Sequence, residues 1–439
     1  VSQAVSAERF MGVRIFDITD LDAWRQVAAV QTCRGSHTHT LVPDPRDASV
    51  VYVYVSGTGP VRSAQELAGC SSAPAEQDSA TSRYQVEVIR VPVAAPQEAA
   101  VIRGARLFAD STGNVAGLWK GGRHGEESQA TSETDQCHDI TAYPALGLAA
   151  GACSGNGLLI DIADPSNPRR LAEVSDPNFA YWHSATFSND GSKVLFSDEW
   201  GGGTAPRCRA TDRPQWGADA IFTRDSRTMA FAGYYKLPAA QTATENCVAH
   251  NGSLIPVPGR DILAQGWYQG GVSIFDFTDP AKPVEIAYFD RGPLATDRMV
   301  IGGIWGAYWY NGYLYASEMI RGLDVFELVP TAQLSKNEIE AARLVRFAAL
   351  NPQTQPKLEW PAHPAVAKAY VDQLVRGGAM DAKAGRRLAT EIDQAHRKTG
   401  ASRVKSLDAI AARLRAATAK SRDPARMAAL TDVVERMTR

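Results

Sequence analysis

The 439 residues contain no stretch approaching the roughly 18 to 20 apolar residues that a membrane-spanning helix requires, which excludes a helical transmembrane protein. Charge of one sign is not in excess either. The 46 Lys and Arg stand against 48 Asp and Glu, a balance that argues against a nucleic-acid binder. The motifs of several common chemistries are missing. There is no Cys-x-x-Cys or His-Glu-x-x-His, no Gly-x-Ser-x-Gly elbow, no phosphate-binding Gly-Lys-Ser/Thr loop and no dinucleotide fingerprint. What is present is 44% hydrophobic and 21% charged residues, which excludes a disordered chain. The 36 Gly and 24 Pro suit many short strands joined by tight turns.

The near-neutral total conceals two unlike regions. Residues 331–439 hold 20 Lys and Arg against 11 Asp and Glu, a net of +9, which leaves 26 against 37, a net of −11, for residues 1–330. All six cysteines (Cys33, Cys70, Cys137, Cys153, Cys208, Cys247) lie in the acidic region. An even number without Cys-x-x-Cys fits disulfides better than a zinc site. Cys137 and Cys153 flank a hairpin expected to turn at Pro144-Ala145-Leu146, which sets them opposite each other on adjacent strands. Cys208 and Cys247 then close a loop insertion, and Cys33 is left with Cys70; the alternative is six buried thiols. Disulfides predict a periplasmic or extracellular protein, secreted or held at the cell surface.

Self-similarity along the chain decides the fold class. Gly12–Asp20 (GVRIFDITD), Gly157–Pro168 (GLLIDIADPSNP) and Gly271–Pro283 (GVSIFDFTDPAKP) share one pattern, and Gly322–Leu328 (GLDVFEL) is a shortened copy. Each sets a Gly before a β-branched or aromatic run, and the longer copies run into an Asp-containing turn. A second set precedes these: Ser36–Val42, Cys137–Ala142, Trp182–Phe187, Ala249–Leu254 and Ile304–Trp309. Each member leads through a short turn, such as Asn189-Asp190-Gly191 or Asn311-Gly312, into a further strand. The unit is four antiparallel strands in sequence, which is one propeller blade.

These segments closely resemble the LVIVD-repeat family of bacterial exported or surface β-propellers, over roughly residues 10–330. The resemblance implies an all-β fold, a six- or seven-bladed β-propeller of four-stranded antiparallel blades; it implies little about activity. Units beginning near residues 36, 137, 182 and 249 read as complete or nearly so, and one beginning near 304 stops after its third strand. Residues 8–32 supply only the outer part of another, which, with Val1 in first place, predicts further sequence upstream. Stretches 57–82, 110–135 and 200–217 read as loop insertions, with Gly201-Gly202-Gly203 there for flexibility. The turns at Asp161–Asp164 and Asp276–Asp279 read as blade punctuation and not as calcium loops.

Beyond residue 330 the texture changes. Leu334–Leu350, Val366–Arg376, Lys383–Arg397, Val404–Ala419 and Pro424–Met437 carry Ala, Arg, Glu and Leu at helical spacing, which predicts an α-helical C-terminal extension over 331–439. Its positive charge suits it to lie on the acidic propeller or to meet an anionic partner such as a surface polymer; a plain solvated face is the alternative.

Histidines recur at one place in the units. His39, His138, His183 and His250 each precede a hairpin turn by about six to eight residues, at the start of the first strand of four consecutive units. That strand lines the channel of a propeller, so equivalent positions form a ring about the axis. His37 shares the strand parity of His39 and competes for its place, and the fifth unit has Trp305 there. Neutral imidazoles converging on an axis suit a transition metal such as Cu, Fe or Zn, with His37, His39, His138, His183 and His250 as the expected ligands. The alternative is a His kept for structure, bonded to backbone across the channel.

Three carboxylates accompany the ring. Glu199 ends the second strand of its unit, level with the His-bearing start of the first, while Glu8 and Glu318 sit four residues before the Gly of a third strand. Glu199 and Glu318 are the expected catalytic carboxylates, orienting His rings or serving as general base; pairing with a loop Arg is the plainer role. Asp139, Asp198 and Asn251 stand behind them. The arrangement, without the motifs, is similar to that of the carotenoid-cleaving oxygenases and of the methanethiol oxidases, which are metal-dependent propellers. The expected function is oxidation or hydrolysis of a small molecule that enters the channel from the His-bearing face. The alternative is a non-enzymatic cell-surface or scaffold module whose loops and basic tail bind a protein or polymer.

Overall fold

A computed structural model describes residues 5–439. Strand β1 (Gly12–Asp17) pairs antiparallel with β2 (Arg25–Gln31) as a separate two-stranded sheet. A four-stranded antiparallel meander follows, made of β3 (Thr38–Pro43), β4 (Val50–Ser56), β5 (Val86–Pro92) and β6 (Ala100–Ala105). After a short pair, β7 (Gly122–Arg123) and β8 (Ala130–Thr131), comes the second meander: β9 (Asp139–Tyr143), β10 (Leu148–Cys153), β11 (Asn156–Asp161) and β12 (Arg169–Val174). The third is β13 (Trp182–Phe187), β14 (Lys193–Asp198), β15 (Asp219–Arg224) and β16 (Met229–Tyr235). The fourth is β17 (Asn251–Ile255), β18 (Ile262–Gly266), β19 (Val272–Asp276) and β20 (Val284–Phe289). The last, β21 (Ile304–Tyr310), β22 (Tyr313–Glu318) and β23 (Gly322–Phe326), has three strands.

The first strands of consecutive meanders lie side by side, laced by short hydroxyl side chains. Thr38 and Thr40 donate to the carbonyls of His138 and Ile140 (2.8 and 2.5 Å), and Thr141 donates to Ala185 (2.8 Å). Further on, β17 pairs in parallel with β21, Asn251 opposite Gly306. The apolar core fills the gaps between meanders: Trp182, Phe196 and Phe222 cluster on the second, and Tyr235 stacks on Phe275 with ring centroids 3.6 Å apart. In two of the four copies the paired backbone leaves room for glycine alone. A Cβ on Gly12 or Gly271 would lie 2.0 or 1.9 Å from the carbonyl oxygen of Val30 or Phe289 on the paired strand. The repeat aspartate closes its own turn, since Asp17, Asp161 and Asp276 each accept from the backbone N–H two residues on (3.0, 2.9 and 2.8 Å). The Asn311-Gly312 turn has φ of +50° and +105°, the signs a type I′ hairpin needs.

All three disulfides join the expected partners, Cys33–Cys70, Cys137–Cys153 and Cys208–Cys247. Among the described residues no helix is long and apolar enough to cross a membrane.

The C-terminal region is helical with a core of its own: α1 (Lys336–Arg343), α2 (Pro364–Arg376), α3 (Ala382–Arg397), α4 (Gly400–Thr418) and α5 (Pro424–Arg436). A capping box of Ser335 and Glu338 starts α1. The first helix is far shorter than the expected Leu334–Leu350. Residues 344–360 instead run as a strap over the far ends of the first strands, where β9, β13 and β21 offer backbone and side-chain partners. The extension also grips the sheets through Glu338, which is fully buried and takes Arg260 of the fourth meander and Arg376 of α2 (2.9 and 2.6 Å). The acid of this contact comes from the basic region and one of its cations from the acidic region, so local pairing and not net charge sets it.

Candidate metal centre

The side-by-side first strands carry the histidines into a row. His138 precedes β9, His183 is the second residue of β13 and His250 precedes β17. Ring centroids lie 4.2 Å apart for His37 and His138, 4.0 Å for His138 and His183, and 4.2 Å for His183 and His250. Trp305 of β21 continues the row, 4.6 Å beyond His250. Burial grades along it: His37 is exposed, His138 buried, and His183 and His250 are sealed at 0% and 1% exposure.

Glu199, just after β14, reaches between the two sealed rings. Its carboxylate oxygens lie 3.6 Å from His183 Nε2 and 3.6 Å from His250 Nε2. Two donor atoms that share one ion at about 2.0–2.1 Å in tetrahedral geometry stand about 3.3–3.4 Å apart, so these spacings are close to those of a common ligand set. The hydrogen bonds around the rings decide which nitrogens are free. His250 Nδ1 meets the carbonyl of Trp305, which can only accept, so the proton is on Nδ1 and the lone pair on Nε2. His138 Nδ1 is 3.1 Å from Asp139 Oδ1, which fixes the same tautomer there. His183 Nδ1 and Nε2 and His250 Nε2 are buried polar atoms without a hydrogen-bond partner. The Tyr268 hydroxyl donates to Glu199.

Protonation follows from burial. Desolvation, with the neighbouring imidazoles, drives His183 well below the ordinary histidine value and His250 down to about 3. Both are neutral at pH 7, as metal-binding imidazole must be. Burial pushes the Glu199 carboxyl up, opposed by the Tyr268 hydrogen bond. Burial also acts to raise Asp139, but its hydrogen bond and charge interaction with His138 outweigh it and leave the group below the usual carboxylate range.

The donor atoms fall into two overlapping groups, His138–Asp139–His183 and His183–Glu199–His250. Imidazoles plus a carboxylate suit Cu, Fe or Zn, and the partnerless lone pairs of His183 and His250 are what such an ion would satisfy. His37 and not His39 extends the row. His39 lies on the exposed side of β3, with its ring 3.3 Å from the Ser36 hydroxyl, because the buried positions of that strand are Thr40 and Val42. Glu318 is not brought to the histidines: it is buried, but it accepts from the N–H groups of Gly303 (2.9 Å), Ile320 (2.9 Å) and Arg321, which caps the turn after β22. Asp198 serves backbone N–H groups of Ala180, Tyr181 and Gly217, and Glu8 is exposed.

Sequence reasoning missed Tyr268 and the glycine that admits it. A Cβ on Gly203, at φ +65°, would lie 2.1 Å from the Tyr268 ring, so this glycine makes room rather than merely loosening a loop. Tyr268, at φ +54°, sits three residues before the repeat Gly271 as Ser154, at φ +55°, sits before Gly157, but the two copies share no residue type there, and Gly203 lies in an insertion. No periodicity pointed to either.

No protein-family model matches the chain, and no curated protein matches it. Among solved structures it is similar to the periplasmic gluconolactonase PpgL of Pseudomonas aeruginosa, at 11% identity over 76% of this chain and 74% of that one, with a TM-score of 0.42. It is also similar to the Cps50 (Swd1) β-propeller domain of Myceliophteria thermophila (8%, 71% and 76%, 0.39) and to BamB of Moraxella catarrhalis (13%, 70% and 62%, 0.36). At such identities and scores these likenesses bring no residue role, substrate or partner to this chain.

Proposed function

We propose that the chain is an exported β-propeller of six or seven blades, of the LVIVD-repeat kind, that holds a transition metal (Cu, Fe or Zn) on His183, His250 and Glu199, with His138 beside them in the overlapping group on His183. The reaction is oxidation or hydrolysis of a small molecule reaching the row from the side where His37 and Trp305 are exposed. The observation that carries this reading is the convergence of buried, partnerless imidazole nitrogens on one carboxylate. Three disulfides support export.

When bound, such an ion activates water or polarises a substrate oxygen. The residues of the chain do the rest. Asp139 and the Trp305 carbonyl hold the His138 and His250 tautomers, and Tyr268 orients the Glu199 carboxylate. Burial raises the Glu199 pKa, which makes it a better proton acceptor than an exposed carboxylate.

Elemental mass spectrometry of the protein as isolated, beside the His183→Ala/His250→Ala variant, tests the reading. About one Cu, Fe or Zn per chain, lost in the variant while the circular dichroism is kept, is the expected result. No metal in either protein, and none taken up on addition, would make the row architectural and end the proposal.

A further inference from the structure

The strap between α1 and α2 belongs to the helical extension in sequence but to the sheets in its contacts. Ala142 N–H of β9 donates to Gln353 O (2.9 Å) and Gln355 N–H donates back to Ala142 O (2.8 Å), a parallel bridge. Side chains repeat the pairing on the neighbouring strands. Gln355 Nε2 donates to Phe187 O (2.9 Å) while its Oε1 accepts from Phe187 N–H (3.0 Å), and Thr354 donates to Leu41 O (2.6 Å). One segment therefore ties the first strands of three consecutive meanders.

At one point it reaches the histidine row. Gln353 Nε2 lies 3.2 Å from Asp139 Oδ2, while the other oxygen of Asp139 takes the His138 Nδ1 proton at 3.1 Å. Asp139 is 0% exposed, so each of its oxygens needs a donor from the protein. Gln353 ties one oxygen, beside a further hydrogen bond from the Thr38 side chain, so the carboxylate is held and the imidazole is held with it. Asp139 cannot turn to serve another donor, and His138 keeps its proton on Nδ1 with the Nε2 lone pair free.

We propose that Gln353 is a positioning residue for the centre: the C-terminal extension completes the site by holding Asp139, which in turn holds His138. The inference rests on the metal reading for its purpose, though not for its geometry. At the far ends of the first strands, the strap together with Thr141, Ser253 and Tyr308 lines a cavity of about 50 Å³.

The test uses the full-length chain with ¹⁵N-labelled histidine, stripped of metal by chelator, and His138→Ala to assign the signal. Wild type should show His138 in the single Nδ1–H tautomer. Gln353→Ala, and Gln353→Asn, whose side chain is one methylene shorter, should show a mixture of both tautomers. Zn(II) affinity, read by competition with a chromophoric chelator, should fall about 10- to 100-fold in both variants, the range for loss of a partner behind a ligand. Thr354→Ala cuts a neighbouring strap contact without touching Asp139 and should change neither readout. An unchanged tautomer in the Gln353 variants, or an equal change in Thr354→Ala, would overturn the proposal. If wild type takes up no Zn(II) yet the tautomer responds as expected, the metal reading falls and Gln353 stands as the residue that positions His138.

Discussion

His183 and His37 stand at two depths of one row, each at or just before the start of a first strand, and differ in nearly everything that decides chemistry. His183 is sealed, neutral and without a hydrogen-bond partner on either nitrogen, with a carboxylate 3.6 Å away. His37 is exposed at the edge of the row, lowered in pKa more mildly by partial burial and by His138, and touches only one other ring of the row. The repeat therefore delivers residue type and direction, while burial by the neighbouring meander turns an imidazole into a candidate ligand.

The sharpest way to break this comparison is to remove one member of each end. His183→Ala should weaken Zn(II) or Cu(II) binding by more than the roughly 10- to 100-fold typical of residues behind a ligand, whereas His37→Ala should weaken it less; isothermal titration decides. Equal losses would mean that depth does not matter. The next effect is on stability against pH in the metal-free protein. His183 and His250 are lowered in the folded state, so below about pH 6.5 the unfolded chain binds protons that the folded chain refuses. Stability should thus fall as pH falls, by about 1.4 kcal/mol per pH unit for each group, until His250 itself is protonated near pH 3. Urea unfolding at pH 7 and pH 5 measures the slope, and His183→Gln should flatten it more than His39→Gln, because burial lowers both rings but the sealed His183 the further.

A smaller effect belongs to the partner of Glu199. Tyr268→Phe removes the hydroxyl that donates to the buried carboxylate, at a cost of about 1–2 kcal/mol in urea unfolding and with weaker metal binding. The smallest belongs to His39. Exposed and outside the row, His39→Ala should shift stability by less than about 0.5 kcal/mol and leave metal affinity unchanged. A large effect there would return His39 to the site and displace His37.

Much of this is legible in the sequence. The Gly-led repeats marked the meanders, the spacing of the cysteines marked the three bridges, and the recurrence of His138, His183 and His250 before their turns marked the row. Parity could not separate His37 from His39, because it says which side a residue faces and not what covers that side. Glu318 matched the repeat yet caps a turn, since a carboxylate at a strand end is taken by whichever backbone N–H groups lie nearest. The strap read as helix because Leu344–Leu350 continues the composition of α1, and its extended path is set by the strand ends it pairs with.

The sequence by itself determined the elements, their order and the residue types at repeated places, because a turn glycine, an Asx turn or an alternating strand is decided by neighbours a few residues away. Only the tertiary structure decided which of those side chains meet. Tyr268 and Glu199 are 69 residues apart, and Gln353 and Asp139 are 214 apart. Such pairs carry no local signature: what joins them is the packing of meanders and strap around a buried row, where each polar atom must find a partner or do without.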